Sequence, residues 1–480
     1  MTSTIVRRSP ALDGLALVAG IGFSLFGNDW LFAAAIGVLW AIWRMLPEDD
    51  GPPILAIAMT YQWVQVTAGM FYSLVTGRTL LPMLSIDYRP IVTISLISVL
   101  TLAVGLYLGR KIAIGRRSRD ATARPDLALT WGILLTAYAT AIVAEASARK
   151  FAFQYPSLTQ PILALMSIRL ITLYILLRRL ARPKFRIIAI GCLTVFEAVL
   201  NATGYFANFR EPLILAIVAV LEVFDRRRRE QVVAVAAFVV ALAVCSLVWI
   251  NIRAAFRQEI DSRESFNTSA RLDRIGALAS DWWRRGESNR LDDVDFLVER
   301  VWAIYYPALA LKRVPNVLAH TEGSLLGAAI SHVLQPRIFF PDKPELPSDS
   351  DLVRKYSGVY VAGRESNTSI AFGYVAESYV DFGVPLMFLP IAAFGVISGV
   401  IYGVFQRLIR HAEIRIPVVV VAFWLGLFLF ERSWANFIGF SLTIYLYVGA
   451  AAWLLDRFLL IKFEAAEPPV HARPFPSAAP

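Results

Sequence analysis

The sequence predicts an all-α, polytopic membrane bundle of about twelve transmembrane helices with one large helical loop on the outer side. Of its 480 residues 57% are hydrophobic and only 18% charged, with a mean hydropathy of +0.57, far too apolar for a soluble domain of this length. Apolar runs of roughly 20 residues recur along the chain, the length at which a helix crosses hydrocarbon with every backbone polar group bonded internally. Lys and Arg gather in alternate connections, as the cytoplasmic sides of membrane helices require.

The expected spans run over residues 11–27, 30–46, 53–75, 90–109, 127–147, 159–177, 187–206, 208–224, 231–251, 384–406, 416–431 and 436–456. Arg7 and Arg8 precede the first run much as in a signal peptide, but no small-residue cleavage site follows and a second run begins at once, so an uncleaved first helix is expected. With the connections assigned alternately to two sides, Arg7–Arg8, Arg44, the 110–124 stretch, 178–186, 226–229, 407–415 and 457–462 all fall together. Both termini are therefore expected in the cytoplasm. The net charge of +10 is thus a topology signal and points to no nucleic acid. Cys192 and Cys245 both lie in apolar runs, so no disulfide or zinc framework is expected.

This divides the chain into spans one to nine (1–252), an extracytoplasmic loop (253–383), spans ten to twelve (384–460) and a Pro- and Ala-rich tail (461–480) expected to be disordered and cytoplasmic. The loop is too long and too charged for a connector, and soluble-side chemistry belongs there. Apolar residues at helical spacing predict amphipathic helices over 271–283 and 291–313. The stretch 323–333 is apolar but too short to span, which suits an interfacial or re-entrant helix. No internal repeat is evident, which disfavours a transporter built from duplicated halves.

Five places carry candidate chemistry. Asn208-Phe209-Arg210-Glu211-Pro212 opens the eighth span at its outer end. Proline suits a first helical turn, the helix N-terminus offers free N–H groups, and Arg210 adds a fixed cation, together a site for a phosphate or diphosphate. An interfacial arginine reaching lipid headgroups gives the same spacing. A second basic stretch, residues 335–344, contains Arg337 and Lys343 between prolines that hold the backbone extended, followed by Arg354, Lys355 and Arg364. In 368–383 a helix would set Glu377 and Asp381 one turn apart, and such a carboxylate either accepts a hydroxyl proton or caps and pairs locally. His320 and His332 lie in the loop with Glu322 between them, with too few ligands for a metal and one possible general base. Inside the membrane Arg169 and Glu197, at matching depths in neighbouring antiparallel spans, are expected to form an ion pair, structural or along a pathway.

At these residues the chain resembles the bacterial oligosaccharide repeat-unit polymerases, the Wzy-type O-antigen and exopolysaccharide polymerases, themselves similar to the O-antigen ligases. The resemblance rests on the twelve-span plan, Phe209-Arg210-Glu211-Pro212, the long late loop and the Gly373 to Gly383 stretch, and covers about residues 190 to 405. Relatives carry Asn before Phe-Gly where this chain has Asp381. The resemblance implies a GT-C-like bundle in the bacterial inner membrane and a metal-independent glycosyltransferase without cofactor. A glycan carried on undecaprenyl diphosphate would be transferred, on the outer face, to the sugar end of a newly flipped lipid-linked repeat unit. Arg210 and Arg337, with Arg364, would bind the diphosphate, and Glu377 or His332 would activate the acceptor hydroxyl. Implied partners are undecaprenyl-diphosphate-linked oligosaccharide, membrane lipids, a chain-length regulator and a flippase. An O-antigen ligase is the nearest alternative. A twelve-span transporter or flippase stays open because of Arg169, Glu197, Gln62 and Gln65, whereas a membrane acyltransferase lacks its histidine motif.

Overall fold

A computed structural model describes residues 10–459 apart from 49, 116–126, 128, 155–158, 183–184, 203–209, 226, 262–267, 285–289, 336–338, 341 and 367. Among the described residues the chain is helical throughout. The first part holds α1 (Pro10–Gly27), α2 (Leu31–Met45), α3 (Ile54–Thr76), α4 (Leu81–Ser85), α5 (Arg89–Ile114), α6 (Trp131–Gln154), α7 (Thr159–Ala181), α8 (Ile187–Ala202), α9 (Arg210–Glu222) and α10 (Arg229–Asp261). Then come α11 (Thr268–Arg284), α12 (Arg290–Val301), α13 (Tyr305–Arg313), α14 (Ser324–Leu334), α15 (Asp349–Ser357) and α16 (Tyr374–Phe382). The chain closes with α17 (Phe388–Leu408), α18 (Ala412–Leu427) and α19 (Trp434–Leu454).

Among the described residues six helices are long and apolar enough to cross a membrane: Ile54–Thr76, Arg89–Ile114, Trp131–Ala148, Arg229–Phe256, Phe388–Leu408 and Trp434–Phe458. This is a helical membrane protein. The other expected spans fall on elements of different character. Those at α1, α2 and α8 are apolar but shorter, and α7 carries Arg169, Arg178 and Arg179. α9 has 13 residues and α18 has 16, and from Arg415 to Leu427 every residue of α18 is buried. A helix apolar all round is one surrounded by protein, so α18 owes its composition to neighbouring helices rather than to lipid.

The closest helix crossing joins α5 to α17. Gly105 and Gly109 on one face Gly395, Gly399 and Gly403 on the other, with Ala113 opposite Gly403. A Cβ on Gly105 would fall 2.6 Å from the Ala392 carbonyl oxygen, and one on Gly395 would fall 2.7 Å from that of Leu102. Positions 109 and 399 are tighter still, against the carbonyls of Val396 and Leu106. Small residues four apart let two backbones touch, and where lipid supplies no hydrophobic drive this contact is what associates helices. The register rises together on both helices, so they run parallel.

Parallel running puts both helix starts at one face of the bundle, where α13 meets α5 and α16 meets α17. At the opposite face charges are stapled in pairs. Arg110 stands 3.6 Å from Glu48, which also accepts from the Tyr402 hydroxyl, Arg415 pairs with Asp50, and His411 Nδ1 lies 2.7 Å from Asp456.

The segment 253–383 differs from a loop lying on a surface. α10 continues past the expected end at 251 to Asp261, and amphipathic helices occupy 268–284, 290–301, 305–313 and 324–334. Beyond α12 the chain enters the bundle: Trp302 Nε1 donates to the Val66 carbonyl at 2.8 Å, and Ala303 N donates to that of Gln65 at 2.9 Å. The indole fills the space that Gly69 leaves, for a Cβ there would overlap its ring.

Gly399→Leu should separate α5 from α17 and destabilise the protein by about 1–3 kcal/mol or more. Gly191→Ala, at a position with nothing within 4 Å, should leave the melting midpoint in detergent unchanged. Equal midpoints for the two variants in a fluorescence size-exclusion melt would show that the crossing contributes nothing.

Candidate functional site

α16 is buried along most of its length, and its two carboxylates each serve the start of another helix. Glu377 Oε2 accepts from Trp434 N at 2.7 Å, the first residue of α19. Asp381 accepts from Leu325 N at 3.0 Å and Leu326 N at 2.8 Å, in the first turn of α14, and from the Thr321 hydroxyl. A carboxyl oxygen satisfies the free N–H groups of a helix start, and an ionised one also meets its partial positive charge. Thus one short helix ties α14 and α19 together. The other Glu377 oxygen, Oε1, is buried without a hydrogen-bond partner. Burial, reinforced by Asp349 and Asp381, pushes this carboxyl up to about 8, while the Trp434 amide opposes the shift.

The first turn of α16 abuts the connection between α18 and α19. Gly373, at φ +93°, lies so close that a Cβ would be 2.9 Å from the Phe430 carbonyl oxygen. That connection is held from α3. Gln65 Nε2 donates to Phe428 O at 2.8 Å, Phe430 N donates to Gln65 Oε1 at 3.2 Å, and the Tyr374 hydroxyl donates to Gln62 Oε1 at 2.8 Å. Gln62 Nε2 also donates to the Leu427 carbonyl, so Gln62 and Gln65 both serve as backbone supports.

So fixed, the connection presents Glu431 and Arg432 to two other arginines. Arg300, from α12, grips Glu431 with two bonds of 2.7 and 3.1 Å, and this carboxylate raises its guanidinium above the usual value. Arg210, at the start of α9, lies near enough to the Tyr61 hydroxyl of α3 to act on it electrostatically. Arg432 Nη1 donates to Leu425 O at 2.7 Å, and its guanidinium lies 4.5 Å from the Phe440 ring centre and 5.3 Å from that of Phe428. Burial pulls Arg432 down to about 10, with Arg210 acting the same way and Glu211 and Glu431 opposing. One carboxylate oxygen of Glu211 is buried without a hydrogen-bond partner. Arg210, Arg300 and Arg432 thus gather around two carboxylates with net positive charge, a site suited to a polyanion.

Of the residues expected at a diphosphate site, Arg210 belongs to this cluster. Arg337 lies outside the described residues. Arg364 is 63% exposed and pairs with Glu345 at 2.9 Å. Lys343 donates to the His332 and Gln335 carbonyls at 2.8 and 2.7 Å, closing the end of α14, where His332 occupies the last turn. Arg169 stands 3.4 Å from Glu197 and also 2.6 Å from Glu145, while its Nη2 donates to Asn201 at 2.7 Å. Two carboxylates and an amide therefore surround that one arginine. Arg300, Glu431 and Arg432 escape a search by motif. Their one sequence signal is a charged pair, Glu431-Arg432, in a short connection between apolar runs. Among the described residues no group of three His, Cys, Asp or Glu is placed to hold a metal ion.

A family model described as a domain of unknown function (DUF8712) matches residues 96–412, well over half of the chain. No curated protein and no solved structure matches it.

Because Glu377 binds its proton more tightly folded than in an unfolded chain, where carboxyls titrate near 4.5, folding stability should fall as pH rises from about 4.5 to about 8. Glu377→Gln keeps an acceptor for Trp434 N without the titration. Its thermal stability from pH 5 to pH 9 should stay flatter than wild type, the gap growing by at most about 1.4 kcal/mol per pH unit. Parallel profiles would mean that this carboxyl titrates normally.

Proposed function

The chain belongs to the DUF8712 family, and we propose that it extends a polyprenyl-diphosphate-linked glycan, as a metal-independent glycosyltransferase acting at the outer face of a bacterial inner membrane. The reading rests on one observation, the convergence of Arg210, Arg300 and Arg432 at the first turn of α16. A diphosphate leaving group gains negative charge as its bond to the sugar breaks. Fixed guanidinium groups in a partly desolvated setting stabilise that charge more in the transition state than in the bound substrate.

In this proposal the chain crosses the membrane twelve times, with both termini in the cytoplasm and 253–383 outside. The anomeric carbon–oxygen bond of the donor breaks with its electron pair passing to the diphosphate. The acceptor hydroxyl oxygen bonds to that carbon and yields its proton to a base. Of Glu377 and His332, Glu377 is the better supported. It caps the turn that carries Arg432, has an oxygen without a partner and holds a carboxyl value near neutrality, as a base requires. The donor and acceptor are undecaprenyl-diphosphate-linked oligosaccharides drawn from the membrane, with a flippase supplying them and a chain-length regulator as a further partner. A transporter reading is weakened because Gln62 and Gln65 are committed to the backbone and to the Tyr374 hydroxyl.

Purified protein incubated with a lipid-linked repeat unit should produce a ladder of products. Arg210→Ala or Arg432→Ala should slow it by about 10²–10³-fold, the range for losing one transition-state donor, and Arg337→Ala tests the residue outside the described set. No ladder from wild type, or full laddering by both cluster variants, would remove the proposal.

A further inference from the structure

At the far end of α16 lies a second place with the makings of a site. A cavity of about 920 Å³ opens between the start of α5, α13 and the residues after α16. Its mouth carries Asp87, Lys312 and His320, and its wall continues along Ile91 and Ile94, on the first turns of α5, to Val384 just before α17. Val384 is 56% exposed, and Leu386 and Leu389 beyond it are exposed too, so the apolar wall runs out onto the side of the bundle. A polar mouth above an apolar wall reaching a lipid-facing side is the shape that an amphiphile fills.

The polar groups narrow the choice of head. His320 Nδ1 stands 3.1 Å from the Tyr379 carbonyl oxygen and 3.2 Å from that of Val380. Carbonyls only accept, so Nδ1 carries the hydrogen and, in the neutral ring, Nε2 is left as an acceptor. Gly383, at φ +62°, keeps that edge open, because a Cβ there would lie 3.0 Å from Nε2. The Lys312 side chain is exposed, and among the described residues no carboxylate pairs with it. Asp87 faces its own chain, accepting from Arg89 N at 3.0 Å. A free ammonium beside a free acceptor calls for an anion that also bears a hydroxyl. The nine residues of α16, rising about 1.5 Å each, separate this mouth from the arginine cluster by roughly 14 Å.

We infer that the cavity is a second site for a phosphate-headed polyprenyl lipid, holding the incoming acceptor with Lys312 at its phosphate and His320 Nε2 at a hydroxyl, while the arginine cluster holds the donor. This rests on the function proposed above and adds to it the division of two like substrates between the two ends of one helix. A transferase joining two lipid-borne chains needs both anchored at once, and two separate mouths keep their charged heads from repelling each other at close range.

The test titrates the full-length protein in detergent with undecaprenyl phosphate, undecaprenol and phosphatidylglycerol, with native mass spectrometry counting bound lipid. Wild type should take two equivalents of undecaprenyl phosphate, with weak binding of the alcohol. Lys312→Gln, an exposed substitution that spares the fold, and His320→Ala should each weaken one equivalent at least tenfold, and Arg210→Ala the other. Unchanged binding in both Lys312→Gln and His320→Ala overturns the inference, and so does phosphatidylglycerol displacing that equivalent equally well, the mark of an ordinary lipid site. Loss in Lys312→Gln with none in Arg210→Ala would keep this site and remove the arginine reading.

Discussion

The architecture depends on a contact between backbones. Where α5 meets α17 five glycines bring the helix axes so near that at four of them a single added carbon would meet a carbonyl oxygen, and at Gly403 it would meet the Cβ of Ala113. In hydrocarbon, association of helices gains nothing from excluding water, so close van der Waals contact of this kind is among the few forces available. The crossing also joins parts of the chain nearly three hundred residues apart and makes them parallel. Both helix starts then face the same way, and the loop helices between them must return to that face.

What stands on that face is a set of helix ends held by carboxyl groups. α16 acts as a strut, with Glu377 bound to the start of α19 and Asp381 to the start of α14. Removing a carboxylate from such a place leaves buried amide hydrogens unpaired, a cost on the order of 1–3 kcal/mol per group. The end of α18 and the connection after it are supported from the other side by two glutamines of α3, Gln62 on Leu427 and Gln65 on Phe428 and Phe430. Arg432 is consequently presented on a rigid backbone, a requirement for binding an anion without a large ordering cost. Trp302 reaching into α3 likewise anchors the base of the element that carries Arg300.

Several features were legible along the chain for simple reasons. Arg210 opens a helix because proline follows two residues later, and Glu377 and Asp381 fall one turn apart because the intervening residues favour a helix. The proximity of Arg169 to Glu197 follows from the cost of an unpaired charge among apolar helices. Glu145 was not legible as the third member, since its own span offers no mark of the direction in which it points. Arg300 and Arg432 were hidden for another reason. Each lies in an unremarkable charged stretch, and only the folding of α12 against α3 and of the 428–433 connection against α16 unites them.

By itself the sequence determined that this is a helical membrane protein, and approximately where its helices lie. Transfer from water to hydrocarbon adds up residue by residue, and helical periodicity is local, so both can be read without knowing any partner. The tertiary structure alone decided which apolar helices meet protein rather than lipid, which carboxylates close which helix starts, and which arginines share a site. Those are properties of pairs distant in sequence, fixed by steric fit at glycines and by the need to satisfy every buried charge at once.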